Sequence, residues 1–533
     1  MKSNGALIIV NEYGRQTRIN AENGRLLADI LAENGLSTER PCGGLGTCGK
    51  CRVKFLSGAP DPSDFDRKFL SGKELSEGLR LFCRAIVSGD CEIELQNESR
   101  DMAIEETDTK AVWDHFGKRD LGRTFAIAID LGTTTIAAAL LEKRGDEFNV
   151  TRTASCVNRQ RGYGADVISR IAAADDKDKL KDMSKLVVED IEGLMGKLLD
   201  PEKEDGELTG RLDYITVAGN TTMMNLFNER QVDWLGTYPY TPPRFGLGFE
   251  QMIADLTFKG YGEQLLTNLP GISAFVGADI VSGIYYLKSE GMNTKNALFV
   301  DLGTNGEMVF FDGDEIKVTS TAAGPVFEAG GISCGVPSVP GAICHVRLKK
   351  DGDRIICDYE TIEDKPAIGL CGTGVMELVS EAIRVGAVDE TGLLADPYFD
   401  EGLPVTLDGA VRLTQKDIRN LQLAKAAIFT GANTLLDGKS PDVVYLAGGF
   451  GSHIDMDRIR NLKMFPEGFD GKIVPVGNTS LKGAISFSKR ALMGEEEREA
   501  AGDELMAIAE GATVIELATL DEFDTDYIEA MNF

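Results

Sequence analysis

The sequence predicts two unlike parts: a small α+β domain at the N-terminus and, after a polar linker, a larger α/β protein made of two related halves. Three observations carry this expectation. Four of the ten cysteines crowd into the first 83 positions, inside a glycine-rich loop and one later turn. Residues 96–123, QNESRDMAIEETDTKAVWDHFGKRDLGR, are charged and aperiodic, as a linker is. Beyond them, apolar runs ending in glycine turns (FAIAIDLG, YITVAGN, ALFVDLG, VVYLAGGFG) alternate with long helical patterns, which is the signature of an α/β sheet protein.

Length and charge bound the rest. At 533 residues the chain exceeds what one core needs, since domains run to roughly 100–200 residues, so three or four folding units are expected. With 56 basic against 85 acidic residues the formal charge is -29, a surface that repels phosphate backbones and anionic lipid. Neither nucleic acid nor a membrane is therefore expected as a partner. The start MKSNGALIIVNEYG lacks the apolar stretch of a signal peptide, and no run approaches the ~18 apolar residues that span a bilayer. A cytoplasmic location is expected.

Taken in order, residues 1–95 read as a strand at Ala6 to Val10, an extended run at Gln16 to Asn20, a helix from Arg25 to Glu33 closed by Asn34-Gly35, a Gly/Cys loop, and a strand from Arg52 to Phe55. Cys42, Cys48 and Cys51 are spaced C-x5-C-x2-C, and Cys83 follows in LFCR. Four thiolates from one loop and one distant turn suit a [2Fe-2S] cluster, and Gly43, Gly44, Gly46 and Gly49 let backbone amides curl toward its sulfides. Zinc is the alternative, although zinc ribbons offer two separated C-x-x-C knuckles where this loop offers one. These residues resemble the ferredoxin family, nearer its x5 than its x4 spacing, and that resemblance implies a β-grasp fold. Cys91, in the alternating strand CEIEL, reads as a small apolar core residue rather than a ligand. Gly44 to Cys51 nearly matches a phosphate-binding P-loop, but Cys51 stands where Ser or Thr would hold magnesium, so that match is set aside.

The second part is expected to divide into residues 124–210 and 211–533. DLGTTT at Asp130 returns as DLGTNGE at Asp301, each after an apolar strand, so each carboxylate stands at a strand end before a glycine turn. Such turns bring amides and hydroxyls to phosphate and leave the carboxylate free to hold hydrated magnesium or orient water. Taken alone, the motifs are also compatible with ordinary strand-to-helix turns. Two copies followed by LAGGFG resemble the acetate and sugar kinase, Hsc70 and actin superfamily. The resemblance implies ATP and Mg2+ as ligands and Asp130 and Asp301 as catalytic carboxylates. It further implies a first phosphate motif at Gly132, Thr133, Thr134 and Thr135, a second at Gly303, Thr304 and Asn305, and an adenosine motif at Gly448 and Gly449. Gly372 and Gly374 in GLCGTGVMELV are expected to add nucleotide contacts. Kinase and ATPase chemistry are not separated by these motifs. No Ser/His/Asp or His-rich metal pattern points to a hydrolase or zinc enzyme.

An iron-sulfur domain joined to a nucleotide-driven clamp implies ATP spent on electron transfer. The whole order (cysteine loop, linker, DLGTTT, VAGNTTM, DLGTNGE, GPVFEAGGI, GLCGTG, LAGGFG) resembles the reductive activators of corrinoid proteins. That resemblance implies return of a corrinoid methyltransferase protein from Co(II) to Co(I), a low-potential electron donor and a homodimer. Plant-type clusters lie near about -400 mV, and the family's cobalt couple lies lower, so transfer is uphill and needs ATP. Two other readings stand beside it: an activator of 2-hydroxyacyl-CoA dehydratases, which carries a [4Fe-4S] cluster and no ferredoxin domain, and a nucleotide-dependent redox-sensing module. Gly324 to Ala342, rich in glycine, is read either as a partner-docking loop or as a turn near the phosphates.

Overall fold

The computed structural model describes residues 5–95 and 123–533 except 13–14, 35, 37–43, 45, 47–48, 50, 165, 200–210, 237–239, 241–264, 353, 449–455, 467–471 and 521–522. The expected linker up to position 122, Cys42, Cys48 and Gly449 lie outside the described residues.

In the N-terminal part, β1 (Gly5–Glu12) turns Ala6, Ile8 and Val10 inward at the two-residue period of a strand. It pairs antiparallel with β2 (Arg15–Glu22), Ile8 opposite Ile19. Helix α1 (Leu27–Glu33) buries Leu27, Ile30 and Leu31, one face at i, i+3 and i+4. After the cysteine loop come β3 (Arg52–Ser57), α2 (Asp64–Phe69), α3 (Gly72–Ser76), β4 (Leu79–Leu81) and β5 (Cys91–Glu94). The sheet order is β2-β1-β5-β3-β4, with β1 and β5 parallel at its centre, which is the β-grasp arrangement. Both short helices start in a capping box, Ser63 with Asp66 and Ser71 with Glu74. Asp66 also accepts from the Leu81 N–H at 2.7 Å, which fastens α2 to the strand leading into Cys83.

The first half holds β6 (Arg123–Leu131), β7 (Thr135–Arg144), β8 (Glu147–Val157), α4 (Val167–Ala174), α5 (Lys177–Leu199), β9 (Arg211–Gly219), α6 (Thr221–Phe227), β10 (Leu265–Asn268) and α7 (Ala278–Ser289). Its sheet runs β10-β9-β6-β7-β8. Strand β9 lies parallel to β6 from Thr124 opposite Arg211 to Leu131 opposite Gly219. The break expected between 210 and 211 therefore runs through the middle of a sheet. A charged connection, PEKEDGELTG, separates α5 from β9 in sequence although both belong to one unit, and the true division falls between α7 and the next strand.

The second half begins with β11 (Asn296–Leu302), β12 (Gly306–Asp312) and β13 (Glu315–Thr321). A side sheet of β14 (Ala342–Asp351), β15 (Arg354–Thr361) and β16 (Gly369–Leu370) follows, then α8 (Gly372–Arg384), α9 (Tyr398–Glu401), and the small hairpin β17 (Leu403–Pro404) with β18 (Arg412–Leu413). The chain ends through α10 (Gln415–Leu436), β19 (Val443–Ala447), α11 (Met456–Asn461), β20 (Lys472–Gly477), α12 (Thr479–Met493), α13 (Glu495–Gly511), β21 (Ala512–Val514) and α14 (Phe523–Glu529). The main sheet runs β20-β19-β11-β12-β13-β21. Apart from β21, both large sheets share one order, three antiparallel strands followed by two parallel additions beside the first strand. The repeated motif in sequence is thus a repeated fold, the actin-like arrangement expected.

Strand β6 explains how the halves meet. Phe125, Ile127 and Ile129 face α5, while Ala126 and Ala128 face α7 and α12, which lie between the two sheets. Small residues on that side let the helices approach closely. A Cβ on Gly483 of α12 would stand 2.0 Å from the Ser282 carbonyl oxygen of α7, so this crossing requires glycine.

Candidate functional site

The cysteine loop is built against α2. Gly44, Gly46 and Gly49 all have positive φ (82°, 75° and 67°), a region that costs other residues about 1–2 kcal/mol. A Cβ on Gly46 would lie 2.7 Å from Arg84 Nε, and one on Gly49 2.6 Å from the Phe69 ring, so the loop is pressed onto the helix. Cys51 and Cys83 are both buried, and the Phe82 N–H donates to the Cys51 carbonyl at 2.9 Å, which places the two cysteine-bearing segments side by side. Two buried thiols on adjacent segments, beside loop glycines with positive φ, fit an iron-sulfur cluster. Cys91 is buried in β5 with its thiol pushed up to about 11, chiefly by burial, as a core residue should be.

In the large part, Asp130 and Asp301 occupy matching places in their halves. Asp130 sits opposite Ala218 of the parallel neighbour, and Asp301 opposite Ala447. Gly132 N–H donates to the Thr135 carbonyl and Gly303 N–H to that of Asn305, both at 3.0 Å, closing the two turns. Thr133 is buried, and its hydroxyl accepts from Asn220 Nδ2 at 3.0 Å. Gly448 has φ 113°, and a Cβ there would meet the Leu302 carbonyl at 2.4 Å, so the third motif is packed against the end of β11. The charge of Asp130 acts on Asp301, so the two Asp turns lie near one another across the halves.

Gly372 and Gly374 are explained differently. A Cβ at 372 would lie 1.8 Å from the Phe327 carbonyl and one at 374 2.1 Å from the Ile343 carbonyl. They let α8 pack directly on its neighbours, which is a structural reason for both glycines independent of nucleotide.

Further carboxylates near the two Asp turns, and the groups that hold Asp130, were missed by motif reading. Burial pushes the Asp130 carboxyl up, while Ser480 Oγ and Asn478 Nδ2, each 2.7 Å away, oppose that shift. Burial, then the charges of Asp279, Asp130 and Glu328, push Asp301 up to about 8. Glu307 lies directly opposite Asp301 across β11 and β12, on the same face, and is likewise pushed well up by burial and by Asp279 and Asp301. Asp279, at the start of α7, is raised by burial and by the charge of Asp130. Glu328 is exposed as a residue, but its carboxyl is enclosed enough to be raised; it accepts from Thr304 Oγ1 at 3.1 Å. Carboxylates that cannot all ionise together are what a divalent cation relieves. For Glu307 the signal was available: six positions after Asp301 in a tight hairpin puts the two in register. Asn478, Ser480 and Asp279 come from distant segments and carried no local signal.

Comparison with known proteins gives the same division. The family model for the C-terminal domain of RACo, the ASKHA domain, matches residues 295–533; that for the RACo middle region matches 125–292; and the 2Fe-2S iron-sulfur cluster binding domain matches 10–88. The corrinoid activation enzyme RamQ of Eubacterium limosum is 28% identical over 445 residues, covering 76% of this chain and 69% of its own. The [Co(II) methylated amine-specific corrinoid protein] reductase of Methanosarcina barkeri is 28% identical over 358 residues, and the match spans 61% of this chain and 63% of that protein. A solved structure of a reductive activator for corrinoid, iron-sulfur protein covers 99% of this chain and 98% of its own, at 25% identity and a TM-score of 0.66. Among the described residues no helix is long and apolar enough to cross a membrane. With its iron-sulfur domain, middle region and ASKHA domain in that order, the chain belongs to the reductive activators of corrinoid proteins.

Proposed function

We propose that this chain is an ATP-dependent reductive activator that returns Co(II) in a corrinoid methyltransferase protein to Co(I), one electron per cobalt, in the cytoplasm and as a homodimer. The observation that carries the reading is the pairing, in one chain, of buried Cys51 and Cys83 in a β-grasp domain with two like halves whose Asp130 and Asp301 stand at matching strand ends within reach of each other's charge. Cys42, Cys48, Cys51 and Cys83 would hold the [2Fe-2S] cluster, which supplies a one-electron carrier rechargeable by a low-potential donor. Asp130 and Asp301 would hold hydrated Mg2+ together with the phosphates, whose charge it neutralises.

The chain's own residues do the positioning. The turns at Gly132–Thr135 and at 303–305 approach the phosphates, and Gly448 and Gly449 leave room for the nucleoside. Asp301 and Glu307, side by side on one sheet face, orient the water that attacks the terminal phosphate, giving ADP and phosphate. Thr304 links this turn to Glu328 in the segment Gly324 to Ala342, so nucleotide state reaches the surface that meets the corrinoid partner. The free energy of nucleotide and partner binding makes up the unfavourable potential step.

The test is anaerobic absorbance of a Co(II) corrinoid methyltransferase protein mixed with this chain and a low-potential reductant. Growth of the Co(I) band only with Mg-ATP is the expected result. An intact cluster and ATP turnover with no Co(I) from several such partners would refute it.

A further inference from the structure

The turn after Asp130 is held from behind. Its Gly132 carbonyl accepts from Asn158 Nδ2 at 2.9 Å, the Thr134 carbonyl from the Asn158 N–H at 2.9 Å, and the Thr133 carbonyl from Arg170 Nη2 at 2.6 Å. In a planar trans peptide the N–H points opposite to the C=O, so drawing the Gly132 and Thr133 carbonyls back aims the amides of Thr133 and Thr134 away from Asn158 and Arg170. Successive amides presented this way form an anion-binding concavity.

Arg170 is the unusual member of this support. It is fully buried in α4, and its other donors meet the Gly164 carbonyl at 2.9 Å and Met223 Sδ at 3.1 Å. Among the described residues no carboxylate accepts a hydrogen bond from it. Asp166 is the opposite charge that acts on it, but that carboxylate caps α4 through the Ser169 N–H at 2.7 Å, and Arg161 acts against it. Burial lowers its pKa to about 9, so it stays charged at neutral pH. A buried cation without a paired carboxylate is costly unless an opposite charge arrives. The side of the turn on which that charge fits is the one its amides face.

We propose that Arg170 is a positioning residue for the nucleotide: by holding the Thr133 carbonyl from behind, it aims the turn's amides at the polyphosphate, whose negative charge is its missing counter-charge. This rests on the nucleotide reading above. It adds that affinity comes from the phosphates, so inorganic pyrophosphate with magnesium binds without any nucleoside.

The test is calorimetric binding of Mg-ATP and Mg-pyrophosphate to the full chain and to R170M and R170K, with melting curves of the ligand-free proteins as a check of folding. R170M should weaken both ligands by about tenfold or more, and R170K, which keeps the charge, should stay within about threefold of the wild type. In steady-state ATP hydrolysis the loss in R170M should appear in KM more than in kcat, which a merely loosened fold would not produce. A wild-type chain that binds neither ligand sinks the nucleotide reading itself. A wild type that binds Mg-ATP beside a folded R170M that binds it equally tightly overturns only the role of Arg170. Should R170M not fold, the wild type decides: pyrophosphate must raise its melting temperature, and no rise where ATP gives one overturns the proposal.

Discussion

Glu381 gives a stability prediction that can be worked from the structure. It lies in α8 with its side chain 1% exposed, and accepts from the Leu348 N–H of β14 at 2.8 Å, from Arg384 at 2.6 Å and from Arg458 of α11. Burial alone would raise its pKa, but Arg384, the Leu348 N–H and Arg458 together lower it from 4.5 to about 2. At ~1.36 kcal/mol per pH unit, that depression is worth roughly 3 kcal/mol of folding stability. The folded value lies below the unfolded one, so this stability is fully present above about pH 4.5 and is lost as pH falls through about 2. The perturbation is Glu381→Gln, which keeps the shape and one acceptor but removes the charge. Calorimetric unfolding at neutral pH should show the transition of the second half lowered by about 6–12 °C, taking about 2–4 °C per kcal/mol for a domain of that size. The gap should narrow as the pH is lowered from about 4.5 toward 2. Equal midpoints at neutral pH, or a gap that does not change with pH, would refute the reasoning.

Two further outcomes are expected. Ser480→Ala removes one of the two donors that pin Asp130; a hydrogen bond to a charged group is worth about 1.5–3 kcal/mol, so Mg-ATP binding should weaken by about tenfold or more in calorimetry, and unchanged binding would show that the aim of Asp130 does not matter. Gly49→Ala forces a side chain into φ 67° and against Phe69, whereas Gly24→Ala at φ 91° meets nothing within 4 Å. The first should lose iron content and visible absorbance after anaerobic reconstitution and the second should keep both; equal loss in the two would count against the packed loop.

How much of this was legible in the sequence follows from the range of each interaction. The β-grasp fold and the places of Asp130 and Asp301 at strand ends were legible because their signals are local: a period of two in β1, a helical stripe in α1, and an apolar strand ending in Asp-Leu-Gly. The division at 210 was misread because a charged connection looks the same whether it joins domains or crosses from α5 to β9 inside one. Gly372 and Gly374, expected as nucleotide contacts, have a second reason to be glycine that no local signal carries, the carbonyls of Phe327 and Ile343 packed beside them. Arg170, in SRI, gave no sign of burial, since an arginine in a helical pattern is ordinarily a surface residue.

The symmetry of the halves also explains why the missed residues had to come from far away. Each Asp turn is built locally, but the groups that control its charge sit on a helix from the other half. Asn478 and Ser480, at the start of α12 after the second sheet, hold Asp130 of the first sheet. Asp279, at the start of α7 after the first sheet, is the leading charge on Asp301 of the second. At the Asp turns the halves differ: Ala137 stands opposite Asp130 where Glu307 stands opposite Asp301, so the second half pairs two acids across its strands there. The two helices touch at Gly483 and Ser282, and Ser282 Oγ donates to the Ser480 carbonyl at 2.7 Å across the contact. Helix α12 is fastened to the first sheet, Ser488 Oγ donating to Thr216 Oγ1 of β9 at 2.8 Å and Lys143 of β7 to the Leu492 carbonyl at 2.6 Å, so Asn478 and Ser480 are held beside Asp130. Each half thus supplies, through one helix, the groups that set the charge of the other half's Asp turn.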